Sequence, residues 1–383
     1  MATQAKPQRG AEASPRGIVP SPKGTVPSTT GRDGSGQGRA GAFKRSRFGL
    51  VMVLVGVALV ASVGFAVSIG PASLSLSEVW GSIAAHLGAD RLLGLTEPEQ
   101  LRSAMVWELR LPRVLVAAIV GGGLALCGVI MQSLTRNPLA DPYLLGLSSG
   151  ASLGAVAVII LGVAVALPFA AFGGALLALV ASLTLAGALG SLSPTRTVLA
   201  GLAVSQFCAA ITSFVIFWSA TGDSYREILA WLLGSVSGAT WGSVAIVAVA
   251  FAVVGIPLLA SSNVLDAFTF GETSAHSLGL NVNRWRWGLL GAVALLTGAL
   301  VSVSGSIGFI GLIIPHAVRA LVGSGHRRLL PLSVGLGAIF LIWADTLART
   351  IFSPRELPVG VITAAIGAPI FAFVLWKGRR NLS

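Results

Sequence analysis

The run FGLVMVLVGVALVASVGFAVSI, residues 48–69, holds no charged side chain and follows directly on Lys44-Arg45-Ser46-Arg47. At about 1.5 Å of rise per residue, a helix of this length crosses the roughly 30 Å hydrocarbon core of a bilayer. Apolar runs of similar character recur at 111–131, 143–162, 167–189, 198–218, 243–260, 287–305, 307–322, 330–347 and 357–376. The periodicity predicts an all-α polytopic membrane protein of about ten transmembrane helices. Composition agrees: 54% of residues are hydrophobic and 10% charged, against about 25% charged in a soluble domain. The 48 glycines suit helices that pack closely through small residues in lipid.

The net charge of +12 invites a nucleic-acid reading, but its distribution argues against one. Nine of the 26 basic residues fall within residues 1–47, a Pro-, Gly-, Ser- and Thr-rich stretch without an apolar run. Such a stretch buries too little surface to offset its ordering entropy, so 1–47 reads as a disordered basic cytoplasmic tail next to anionic lipid head groups. A cleaved signal peptide fits poorly, because the charged region is too long and the apolar run is of spanning length. With the tail inside, the inner loops carry Arg136, Arg196, Arg284, Arg286, Arg319, Arg327, Arg328, Lys377, Arg379 and Arg380 against Asp141, Asp266 and Glu272. On the outer side acidic residues outnumber basic ones. Positive charge concentrates in the cytoplasmic loops of membrane proteins, and with an even helix count this places both termini in the cytoplasm.

Chemistry-bearing patterns are sparse. There is no G-x-x-x-x-G-K-[ST] loop, so the chain has no phosphate-binding loop of this kind for hydrolysing nucleotide. HExxH, GxSxG and Cys/His zinc spacings are also missing, and no cofactor or metal site is expected. Cys127 and Cys208 lie in separate apolar runs and read as small buried hydrophobes. The clusters Gly121-Gly122-Gly123 and Gly173-Gly174 read as helix-packing surfaces.

Two stretches interrupt the apolar pattern. MQSLTRNPLADPYLLGLSSGA, residues 131–151, places Pro138 and Pro142 between two runs. This is either an ordinary cytoplasmic hairpin, the reading physics favours, or unwound backbone at membrane depth, which needs protein or a water-filled cavity to satisfy it. GSIGFIGLIIPHAVR, residues 305–319, sets Pro315 and His316 in an apolar helix. His316 and Arg319 fit side chains that snorkel or cap carbonyls near the cytoplasmic end better than a proton path.

These two stretches resemble the permease family of iron–siderophore and vitamin B12 importers, the type II ATP-binding-cassette importers. GETSAHSLGL at 271–280, LPVGVIT at 357–363 and Gly367-Ala368-Pro369 carry the same resemblance, which covers residues 48–380 in order. It implies a ten-helix permease domain that performs no chemistry. It implies four kinds of partner: two cytoplasmic ATPase subunits, a second permease subunit, an external substrate-binding protein and a ferric-siderophore-type ligand. It implies an ATPase-coupling loop at 263–284, with Gly271, Glu272, Ala275, Leu278 and Gly279 in the motif positions. Arg110, Arg113 and Arg349 match the arginines that receive the binding protein's carboxylates. Glu108 near Arg110 and Asp345, four residues before Arg349, offer local pairing instead. Pro194 and Thr195 match the cytoplasmic gate, where Pro194 departs from the expected small hydroxyl residue. An ion-coupled secondary transporter is the alternative from another class, but no span carries a central Asp or Glu to relay ions. A membrane anchor without transport fits ten spans poorly. Haem and cobalamin remain open as cargo within the same class.

Overall fold

The computed structural model describes residues 35–70, 72–89, 99–162, 166–188, 194–219, 222–269, 271, 276–277 and 279–379. In chain order the helices are α1 (Ser35–Ser68), α2 (Leu76–His86), α3 (Gln100–Thr135), α4 (Leu147–Leu161), α5 (Leu167–Ala188), α6 (Pro194–Ser219), α7 (Gly222–Leu232), α8 (Trp241–Ala260), α9 (Ser262–Thr269), α10 (Val282–Ser304), α11 (Ile310–Val322), α12 (His326–Thr350) and α13 (Val359–Arg379). Among the described residues there is no strand. Seven helices are long and apolar enough to cross a membrane: α1 over Phe48–Ser68, then α3, α5, α6, α8, α10 and α12. Shorter apolar helices, α4, α11 and α13, bring the number to ten. The chain is an all-α multi-pass membrane protein.

Helix α3 is the axis of the bundle and is buried along most of its length. Its small residues let neighbours approach backbone to backbone. A β-carbon on Gly121 would overlap the Gly337 carbonyl of α12, and one on Gly128 would overlap the Gly311 backbone of α11. Close approach of this kind gains dispersion contact that lipid cannot supply. In the second glycine cluster only Gly174 packs, against Gly150 of α4. Gly173 meets nothing within 4 Å. The large apolar side chains of α1 (Leu50, Val53, Leu54, Val57) and α6 (Phe207, Phe214, Phe217, Trp218) are left uncovered by the rest of the chain.

Several boundaries differ from the sequence reading for identifiable reasons. Helix α3 starts eleven residues before the run at 111, because Gln100–Ala104 continues into Leu111 through the π-turn Met105–Arg110. A π-turn inserts a residue without ending a helix. The loop at 72–106 also contains α2, started by a capping box in which Ser75 and Glu78 satisfy each other's backbone N–H groups.

Candidate functional site

Two breaks in the helical ladder meet inside the bundle. Helix α3 ends at Arg136, a non-glycine residue at φ 49°. Residues 136–139 are exposed, as a cytoplasmic hairpin requires, but Ala140, Pro142 and Leu145 are buried. Asp141 caps a short 3₁₀ turn, Pro142–Leu145, by accepting the Tyr143 N–H at 2.9 Å. The second break lies between α10 and α11, with Gly305 at φ 64° and Phe309 at φ 70°. The Tyr143 hydroxyl joins the two, donating to the Ile307 carbonyl at 3.0 Å and accepting the Ile307 N–H at 3.3 Å. Ser148 donates to Ser306 at 2.7 Å. The Gln132 amide donates to the Gly311 and Leu312 carbonyls at 3.2 and 3.3 Å. Unwound backbone in this bundle is thus satisfied by protein side chains, as a nonpolar surrounding demands. The plain hairpin describes only the exposed half of the first stretch. Arg319 reaches the Gln132 carbonyl oxygen at 3.1 Å rather than capping a backbone carbonyl.

At the other end of α3 the three arginines matched to docking are all buried. Arg110 donates to the carbonyls of Val67, Ser68 and Ala72 at 2.6–3.2 Å, which fixes the end of α1. Arg113 grips both oxygens of Asp345 through Nε and a terminal nitrogen at 2.9–3.2 Å, and reaches Glu356 at 2.8 Å. Arg349 donates to the Ala66 carbonyl and to Thr346. Three guanidiniums offered outward as free forks is therefore not the arrangement observed; each is bonded inside the chain. The local pairs expected from sequence proximity are replaced as well. Asp345 holds Arg113 of another helix instead of Arg349, and Arg110 binds carbonyls instead of Glu108.

On the cytoplasmic side, α9 (Ser262–Thr269) opens the 263–284 loop and buries Leu265, Ala267 and Phe268 against the bundle. Gly271 and Gly279 both adopt positive φ, 99° and 78°, a region costly to side-chain-bearing residues. Glu272, Ala275 and Leu278 lie outside the described residues. Helix α6 opens at Pro194, where a missing N–H costs nothing, and Thr195 in its first turn is exposed.

This arrangement of ten apolar helices with paired internal breaks coincides with a known family. The FecCD transport family profile matches residues 54–377. The chain belongs to the FecCD transport family. Its relatives include the Fe(3+)-citrate import system permease YfmD of Bacillus subtilis, 36% identical over 347 residues, 88% of this chain and 98% of that one. The vitamin B12 import system permease BtuC of Citrobacter koseri is 42% identical over 279 residues, 72% of this chain and 84% of that one. A solved inward-facing structure of a metal-chelate type ABC transporter superposes with a TM-score of 0.74 at 30% identity, covering 85% of this chain and 99% of that one. As a FecCD member the chain is a permease subunit of the ABC importer type, a transport subunit in the inner membrane.

Within this FecCD bundle several residues the sequence reading passed over carry the internal contacts: Tyr143, Gln132, Ser133, His326 and Asp266. Gln132, Ser133 and Tyr143 lay inside the quoted motif, and a polar pair at the end of an apolar helix was the available signal. Asp266 was visible only as one of three acids on the cytoplasmic side. His326 shares a polar turn with two arginines and had no distinguishing mark.

Proposed function

We propose that this chain is the membrane-spanning subunit of an ATP-driven importer for ferric siderophores. It works with a second permease subunit, two cytoplasmic ATPases and an external substrate-binding protein. The observation that carries the cargo is the alignment with a ferric citrate permease along 98% of that protein's length. Cobalamin is the second reading, favoured by the higher identity, 42%, to a vitamin B12 permease over a shorter span.

In this reading the 263–284 loop seats on the ATPases, with Gly271, Glu272, Ala275, Leu278 and Gly279 at the contact. The buried segment of α9 gives that loop a rigid base, as amphipathic helices do when they lie in a partner's groove. Pro194 and Thr195 stand at the cytoplasmic mouth. Arg110, Arg113 and Arg349 support docking of the binding protein indirectly, by fixing the outer ends of α1, α3 and α12 on which it rests. The partly exposed Glu356 is the member of that cluster nearest the surface. ATP binding and hydrolysis shift the equilibrium between outward- and inward-facing states by acting differently on each.

The test is uptake into proteoliposomes that contain the complete importer. Ferric citrate or a ferric hydroxamate enters with ATP on the cytoplasmic side and continues to enter after ion gradients are collapsed. Uptake by this chain alone, driven by a gradient, overturns the proposal in favour of an ion-coupled transporter. Uptake of cyanocobalamin but not of ferric chelates selects the second reading.

A further inference from the structure

One polar connection, buried at His326 and Ser133, lies beside the internal breaks and away from the outer arginine cluster. His326 opens α12 and is 1% exposed. Its ring Nδ1 lies 2.6 Å from Asp266 Oδ1 of α9, and the same oxygen accepts the His326 backbone N–H at 3.0 Å. One carboxylate therefore holds both the ring and the first backbone donor of α12, a group left without an intrahelical partner at any helix start. The other ring nitrogen, Nε2, lies 2.6 Å from the Ser133 hydroxyl in the last turns of α3. The single hydrogen of that hydroxyl is shared between Nε2 and the Val129 carbonyl 2.8 Å away, and each ring nitrogen's role follows from the bond the other makes. The next residue back along α3, Gln132, grips the start of α11. The order Asp–His–Ser is that of a hydrolase triad, but the Ser133 hydroxyl is 2.8 Å from the Val129 carbonyl within its own helix and is 5% exposed. This is a tie between helix ends, not a nucleophile.

We propose that Asp266–His326–Ser133 is the tie that transmits movement of the cytoplasmic loop to the core helices, with His326 as its positioning residue. The proposal rests on the coupling role given above to 263–284. Asp266 sits in α9 between buried Leu265 and buried Ala267; its side chain is 40% exposed, but two bonds from His326 hold its Oδ1. Directly after α9 the chain enters the segment proposed to meet the ATPases. A displacement of α9 therefore pulls on the first turn of α12 and, through the imidazole, on the last turn of α3. Histidine suits the task because its flat ring presents two opposed polar atoms with only two side-chain torsions to order. Beside the tie is an open cavity lined by Arg136, Thr269, Arg319 and Ser324, so space rather than packed side chains adjoins the end of α9. Packed side chains with two discrete arrangements carry coupling between sites, and here the carrier is a hydrogen-bonded chain across three helices.

The test uses the complete importer in lipid nanodiscs, with hydrogen exchange measured before and after trapping with Mg-ATP and vanadate. In the unaltered complex, trapping changes exchange at 262–283 and also at 128–137 and 324–332. In His326→Ala the change at 262–283 persists, while the change at the ends of α3 and α12 falls by at least about threefold. His326→Gln, which keeps two polar atoms, restores part of it. Ser133→Ala removes one hydroxyl and reads the same transmission if the alanine variant at 326 fails to assemble. Transmission unchanged in His326→Ala or Ser133→Ala overturns the tie alone. Absence of any change at 262–283 in the unaltered complex overturns the coupling role of the loop, and the tie with it.

Discussion

Replacing Asp345 by alanine strips Arg113 of the partner that holds it most closely, and the consequence can be sized from the geometry. Asp345 is 2% exposed and receives three contacts from Nε and Nη2 of Arg113, whose side chain is 10% exposed. Breaking a buried pair by removing one partner costs about 3–5 kcal/mol, because the remaining charge stays desolvated. Glu356 remains 2.8 Å from Arg113 Nη1, so the loss should lie near the lower end, about 3 kcal/mol. Glu356 itself is 42% exposed, and Glu356→Ala should cost about 0–1 kcal/mol, the range of surface ion pairs. Leucine at both Arg113 and Asp345 should recover most of the loss, since replacing a whole buried pair with apolar side chains is often neutral. Reversible unfolding of the purified chain in mixed micelles, titrated with a denaturing detergent, measures all three. A cost for Asp345→Ala below about 1 kcal/mol, or equal to that of Glu356→Ala, refutes the assignment of this pair as the anchor between α3 and α12.

Tyr143→Phe leaves the Ile307 N–H and carbonyl without their side-chain partner and should destabilise the chain by about 1–3 kcal/mol in the same titration. A loss too small to resolve would mean that Ile307 finds another partner. Gly128→Ala forces a methyl into the Gly311 backbone and should cost about 1–3 kcal/mol by overpacking. Gly173→Ala, with open space beside it, should change stability by no more than about 0.5 kcal/mol.

The ten helices were legible because lipid leaves so little freedom: a spanning helix must be apolar for its whole length, and runs such as 48–69 announce it. The glycine cluster at 121–123 was readable as packing for the same reason. Partner choice among the arginines was not legible. Arg110 and Arg113 stand three residues apart, yet one fastens α1 and the other α12, and no local spacing reveals a carboxylate more than two hundred residues away. Gly173 and Gly174 are indistinguishable in sequence, and only the approach of α4 separates them. The contacts of Tyr143 and His326 depend on long-range juxtaposition in the same way. The coupling and gating roles proposed for Glu272, Ala275, Leu278, Pro194 and Thr195 rest on motif resemblance, because a contact with another chain leaves no bond within this one to read.

The two short helices bear on how the bundle holds together. Helix α4 has 15 residues and α11 has 13, lengths of about 22 and 20 Å at 1.5 Å per residue. Neither reaches across about 30 Å of hydrocarbon, so each depends on a stretch of unwound backbone that lipid will not accept alone. Tyr143 bonds the Ile307 N–H and carbonyl of that backbone, and Gln132 bonds the first carbonyls of α11. Helices α3 and α10 are long and apolar enough to cross a bilayer by themselves. Helices α4 and α11 lean on longer neighbours instead, α4 on α5 and α11 on α3.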